Sequence, residues 1–166
     1  MKAPSSWKIM DLPHIQTLLN LKAQDIKLVG AFTAKYYDVD TPIAFYKYNK
    51  MNDDFIFELD NSLTKLDELN KFVDGDPTEP DYESTATDEV VFHSNIINAY
   101  GEFYVAVIKH FVSINTYLYS MQIFLEKENS LFACQTTLTI FNEANAEIEL
   151  CENKLILDIY KTLSLI

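Results

Sequence analysis

Three glycines and five prolines in 166 residues leave this chain few obvious places to turn. Sandwiches, barrels and phosphate-cradling folds draw on glycine for backbone angles that other residues avoid. The scarcity therefore predicts long regular elements joined by few loops. A chain of this length fits one domain, and folding removes roughly 70% of such a domain's unfolded surface from water. With Phe 11, Tyr 10 and Trp 1 there is ample apolar surface to bury, which excludes global disorder.

The strongest periodic signal runs from Ile97 through Tyr100, Tyr104, Val107, Phe111, Ile114, Leu118 and Met121 to Leu125, at alternating spacings of three and four. That spacing predicts the seam of a long helix packed lengthwise on others. Val105, Ile108, Val112, Tyr117, Ile123 and Phe124 fall off the seam, so this helix is expected to be apolar on most faces and central. Lys109, His110, Asn115 and Gln122 interrupt it on several faces, which argues against a membrane span.

Three further helices are expected. Asp11-Leu12-Pro13 is a helix start, followed by Ile15, Leu18, Leu19, Ile26, Val29, Phe32 and Tyr36 on one face. Asp40-Thr41-Pro42 is a second start, and Phe55, Leu59, Leu63, Leu66, Leu69 and Val73 mark its stripe up to Gly75; the opening part, 43–48, reads equally as extended chain. A fourth helix opens near Asn129-Ser130, with Leu138, Phe141, Ile148, Cys151, Leu155, Ile159 and Leu163 on one face. The expected fold is thus all-α: an elongated antiparallel four-helix bundle, one helical domain over 1–166 with an acidic linker at 75–88 between the second and third helices. The alternative is α+β, because 137–141 and 147–150 alternate as the arms of a C-terminal hairpin near 137–150 would. Asn142 to Ala146 lacks the glycine that short hairpin loops favour, which puts helix ahead.

Charge narrows the function. Every one of the 13 basic residues is lysine, against 25 acids, for a net charge of −12. Without arginine the chain lacks the usual bidentate grip on phosphates and carboxylates, so direct binding of nucleic acid, nucleotides or anionic lipid is not expected. The stretch 75–89 holds no lysine and half of that net charge, while Pro77 and Pro80 exclude a helix there. Ser84, Thr85 and Thr87 stand among acids, and Thr85 or Thr87 is placed to cap the segment that follows. The first ten residues contain no apolar run of the signal-peptide kind. Cys134 and Cys151, read onto one helix, lie roughly 25 Å apart and cannot bridge; free buried thiols and a cytoplasmic location are expected.

No motif names an activity. His14, His93 and His110 are isolated, no Glu-x-x-His occurs, and clustered zinc ligands are missing; His93 and His110 read as partly buried or rim histidines. Asp74-Gly75-Asp76 with Glu79 has the wrong spacing for an EF-hand. Neither Gly-x-Ser-x-Gly nor a Gly-rich phosphate loop is present, and the paired carboxylates are spaced as exposed helix surface. The expectation is a non-enzyme with no cofactor and no metal.

What remains is an acidic binding protein that docks a basic protein. In charge and expected helicity it resembles acidic helical inhibitors, such as immunity proteins that neutralise nuclease toxins, and viral nucleic-acid mimics; antitoxins and cargo chaperones belong to the same reading. The candidate contact residues fall in three groups. Asp53, Asp54, Glu58, Asp60, Asp67 and Glu68 lie on the second expected helix, Asp76, Glu79, Asp81 and Glu83 with Tyr82 as an aromatic anchor lie in the linker, and Glu143, Glu147, Glu149 and Glu152 lie near the C-terminus. Equally, acids keep an apolar chain in solution. The alternative function is a helical structural or adaptor protein that self-associates, as a homodimer for example. A third is small-molecule binding in an aromatic-rich bundle core.

Overall fold

Strands, not helices, make up most of the described residues. The computed structural model describes residues 1–11, 26–48, 55–113, 116–128 and 130–166, apart from 74–87. Its centre is a seven-stranded, wholly antiparallel sheet in the order β1-β2-β3-β7-β6-β5-β4. The strands are β1 (Lys8–Ile9), β2 (Ile26–Tyr36), β3 (Val39–Tyr48), β4 (Asp88–Asn98), β5 (Gly101–Ser113), β6 (Thr116–Lys127) and β7 (Ser130–Leu138). Helix α1 (Phe55–Val73) separates β3 from β4, and α2 (Ala146–Glu152) and α3 (Lys154–Ser164) follow β7.

The all-α bundle is therefore overturned, and the element that misleads most is 97–125. In place of one long helix it forms the end of β4, all of β5 and most of β6. Along β5, Phe103, Val105 and Val107 face one core, while Tyr104 and Ala106 face the other. A sheet covered on both faces needs apolar residues at every position, so period-two alternation vanishes from its sequence and any spacing can be picked out. The β-branched and aromatic content of the run, on the other hand, suits a strand. Likewise 26–36, expected as helix, is β2; 12–25 lies outside the described residues, as does 74–87, which holds nearly all of the acidic linker.

The first core lies beneath α2, α3 and the N-terminal Trp7. Tyr160, Ile156, Ile159 and Leu163 of α3 sit on Phe103, Val105, Met121 and Ile123 of the sheet, with the Phe103 and Tyr160 rings 4.6 Å apart. The second core lies on the opposite face, where Leu63 of α1 is buried with Leu28, Tyr46, Val90, Tyr104 and Phe124. Phe55, Leu59 and Leu66 pack at its rim, so this part of the expected stripe is helical as read. Fully burying one such aliphatic or aromatic side chain is worth about 1.5–3 kcal/mol, which makes these two layers the main source of stability.

The C-terminal reading is corrected in both its forms. Residues 130–138 are strand rather than helix, and the hairpin near 137–150 is not formed, because Glu143–Asn145 is a 3-10 turn running into α2. Asn153 ends α2 in an extended conformation and caps α3, its side chain accepting from the N–H groups of Leu155 and Ile156.

Turns without glycine explain how so few breakers serve so many strands. Tyr37 and Asp38, which join β2 to β3, have φ of 47° and 61°. Two left-handed residues match the twist of a tight hairpin, a conformation that costs a non-glycine residue about 1–2 kcal/mol. Glu128, between β6 and β7, has φ of 49°; among the described residues Gly101, after the β4–β5 turn, is the one glycine with a positive φ.

Candidate functional site

Two polar clusters lie on the sheet face that α1 covers. Tyr104 stands opposite Asn95 and His93 opposite Ala106, so Tyr104 and His93 are diagonal neighbours on adjacent strands. Helix α1, seated by Leu63, brings Asp60 over both. The Tyr104 hydroxyl donates to Asp60 Oδ1 at 2.6 Å, and His93 Nδ1 lies 2.9 Å from the same oxygen. The hydrogen bond from Tyr104 is the main reason the Asp60 carboxyl is held below its ordinary value; the His93 contact adds to it against the opposing effect of burial. Burial, then the Asp60 bond and charge, push the Tyr104 phenol up.

The second cluster crosses three strands. Asp88 on β4 is registered with His110 on β5, and their Oδ1 and Nδ1 atoms are 2.6 Å apart. On the far side of the ring, His110 Nε2 lies 2.7 Å from Ser120 Oγ on β6. A carboxylate, an imidazole and a hydroxyl in this sequence are the parts of a proton relay to a nucleophile. Ser120, however, is buried in an interior strand, registered with Ile108 on one side and Thr137 on the other. Its backbone is committed to the ladder and is not turned toward an oxyanion. What the arrangement does is fix the ring of His110 and cross-link β4, β5 and β6.

The opposite face carries a different pair of clusters. Tyr119 donates to Glu143 Oε1, which Lys109 also reaches at 2.9 Å, with the ammonium 4.3 Å from the centre of the Tyr117 ring. Burial would raise the Glu143 carboxyl, but the bonds from Tyr119 and Lys109 outweigh it and hold it low. The bond to Glu143 is in turn the main cause of the raised Lys109 ammonium. Farther along, Tyr36 donates to Glu149 Oε1 at 2.7 Å and Asn153 Nδ2 donates to the same atom at 2.8 Å.

These contacts sort the acids expected to meet a partner. Asp60, Glu143 and Glu149 each accept a tyrosine hydroxyl from within the chain, so they fasten helical segments to the sheet. Glu58 and Glu68 are exposed on α1, and Asp67 is half-buried there; Glu147 and Glu152 are exposed on α2. The two exposed pairs belong to layers on opposite faces of the sheet, so these four acids do not converge. Asp53, Asp54, Asp76, Glu79, Asp81, Tyr82 and Glu83 lie outside the described residues. Cys134 is buried on β7, where burial pushes its thiol well up, whereas Cys151 is exposed on α2; both are free, and the single helix expected to carry them does not exist.

The clearest unoccupied feature is the outer edge of β4. Strand β4 ends the sheet order, and its 11 residues pair only with β5 among the described residues. At the opposite end of the sheet β1, a strand of 2 residues, pairs with Phe32 and Thr33 of the 11-residue β2. Near the β4–β5 turn Ile97 is 77% exposed, and Tyr100 is exposed beside it. On the α1 face a cavity of about 240 Å³ is lined by Ile26, Tyr46, Tyr48, Phe124 and two glutamines, Gln122 and Gln135. It is sheet-built, so small-molecule binding in a bundle core has no counterpart. No group of His, Cys, Asp and Glu among the described residues could hold a metal ion. No helix among them is long and apolar enough to cross a membrane.

No protein-family model matches the chain, and no curated protein matches it. The function has to be read from the geometry itself.

Proposed function

We propose that this is a non-enzymatic structural or adaptor protein that self-associates through the edge of its sheet. The observation that carries the reading is β4: a full-length edge strand with one side unpaired among the described residues and an exposed isoleucine near its end. An open edge is a ready template for another strand, and long open edges are normally blunted unless they are used. Sedimentation equilibrium tests it. The unmodified chain should form a concentration-dependent oligomer, and Ile97→Lys, which places a charge on the edge, should shift it to monomer with little change in melting temperature. A monomer at every concentration overturns the reading.

Docking of a basic protein is the second reading, supported by the exposed Glu58 and Glu68 on α1 and the net charge of −12. Charge of that size steers a basic partner, and the effect falls with salt. Binding of a lysine-rich peptide should weaken with Glu58→Lys and Glu68→Lys together but not with Glu147→Lys and Glu152→Lys. Equal effects from both pairs would leave only nonspecific attraction.

A further inference from the structure

The sheet face under α1 holds a second cavity, of about 420 Å³, toward the end where β4 turns into β5. Ile56 of α1, Tyr104 and Phe124 form its apolar walls, and Asn95, Glu102 and Glu126 supply its polar groups. Tyr104 and Phe124 are registered across β5 and β6, with ring centroids 6.5 Å apart. Glu102 and Glu126 each stand two residues beyond that pair, so strand alternation brings both carboxylates to the same cavity. Like charges facing one another on neighbouring strands repel. Neither carboxylate has an ion pair or hydrogen bond among the described residues.

The lysines near this end of the sheet do not relieve that repulsion. Lys47 lies over the Phe132 ring and Lys127 donates to the Ser164 carbonyl of α3, both on the opposite face, and Lys27 is registered beside Lys47. Alternation thus sorts these charges by face, the lysines with α3 and the unpaired glutamates with α1.

The chain itself shows what such a set of groups holds. On the opposite face the Lys109 ammonium meets the Glu143 carboxylate at 2.9 Å and stands 4.3 Å from the centre of the Tyr117 ring. The carboxylate supplies charge, the ring a cation–π contact, and an alkyl stem lies along apolar surface. The cavity offers two carboxylates, two rings and Ile56, and no lysine among the described residues lines it.

We infer that this cavity receives a lysine or arginine side chain of a basic protein partner, its cationic head at Glu102 and Glu126 and its stem against Ile56 and Phe124; this rests on the docking of a basic protein proposed above. Charge complementarity selects the occupant. An anion would be repelled, and a neutral ligand would leave both carboxylates uncompensated. A bare divalent cation would use the oxygens but not the rings or Ile56.

The test is fluorescence anisotropy of a labelled lysine-rich peptide at low salt, with charge removed at constant size. Glu102→Gln with Glu126→Gln should weaken binding about tenfold or more, whereas Glu147→Gln with Glu152→Gln, the same loss of charge on α2, should change it less than about twofold. Equal losses from both pairs overturn the cavity and leave net charge alone. The first pair should melt at or above the parent's temperature, because repulsion is relieved. A clear fall would show that the carboxylates are already paired within the chain, and overturns the site. Displacement of the peptide by millimolar magnesium or calcium at constant ionic strength, the mark of a simple cation site, overturns it too. If Glu58→Lys with Glu68→Lys weakens binding and the Glu102 and Glu126 pair does not, docking of a basic protein stands without this cavity. A parent chain that does not bind the peptide overturns both.

Discussion

The Tyr104 hydroxyl reaches Asp60 at 2.6 Å, and through that bond helix α1 is fastened to the sheet strand beneath it. The same device recurs where Tyr119 meets Glu143 and Tyr36 meets Glu149, so α1, the 3-10 turn and α2 are each tied to the sheet by a phenol on a carboxylate. A charge-assisted bond of this kind is stronger than a neutral one. It also makes the fold answer to pH in a definite direction.

On the acid side, the carboxyls of Asp60 and Glu143 are held below their unfolded values. Their contribution is present above the unfolded carboxyl pKa of about 4 and is lost as pH falls through the lower folded value. Urea denaturation should show stability falling below about pH 4. Tyr104→Phe should lower stability at pH 7 by about 1 to 2 kcal/mol and flatten this acid dependence. A variant with the parent's acid profile would show that the bond does not set it.

On the alkaline side, Tyr36, Tyr104, Tyr119 and Tyr160 are raised above the ordinary phenol value, burial being the first cause in each. A raised folded value adds stability that is whole below about pH 10 and disappears as pH climbs through the folded value. Ultraviolet titration should therefore show two classes of tyrosine, the second ionising only as the protein unfolds. A single smooth transition near pH 10 would contradict the burial of these phenols.

Ser120→Ala should cost about 1 kcal/mol, the worth of one hydrogen bond, and should perturb the ring resonances of His110. The unmodified chain should resist a fluorophosphonate probe at Ser120, because that hydroxyl is buried and its backbone is committed to the ladder. Labelling at Ser120 would turn the cross-strand relay into a nucleophilic site.

Tyr160 is fully buried, and its hydroxyl has no hydrogen-bond partner among the described residues. Removing an unsatisfied buried hydroxyl relieves a desolvation cost of about 1 kcal/mol or more, so Tyr160→Phe should melt at the same temperature as the parent or higher. A clear loss of stability would reveal a bound water at the phenol.

The sequence made some of this legible. The stripe through Phe55, Leu59, Leu63 and Leu66 reads correctly as helix because α1 covers one face of a sheet and shows solvent the other. Leu155, Ile159 and Leu163 also fall on a buried face of α3, but Ile148 and Cys151, placed on the same stripe, are exposed. Asn153 interrupts the helix between them, so the phase does not carry across. Strands β5 and β6 were hidden by burial on both faces, and their turns by Tyr37, Asp38 and Glu128 in conformations usually given to glycine. The cluster of Asp88, His110 and Ser120 depends on strand register, which no spacing along the chain records.

The pairing of β3 with β7 carries a consequence for how the chain assembles. Strands β4 to β7 are consecutive hairpins, each closing on its neighbour, whereas the Thr136 hydroxyl meets the Pro42 carbonyl across 94 positions. Loop closure over that span must be met before any contact rewards it, so local hairpins form sooner than distant pairs. The C-terminal meander is thus the natural nucleus, and the β2–β3 hairpin docks on it late. Until that happens β7 is itself an open edge, which makes the speed of this one docking step the protection of the newly made chain against pairing with its neighbours.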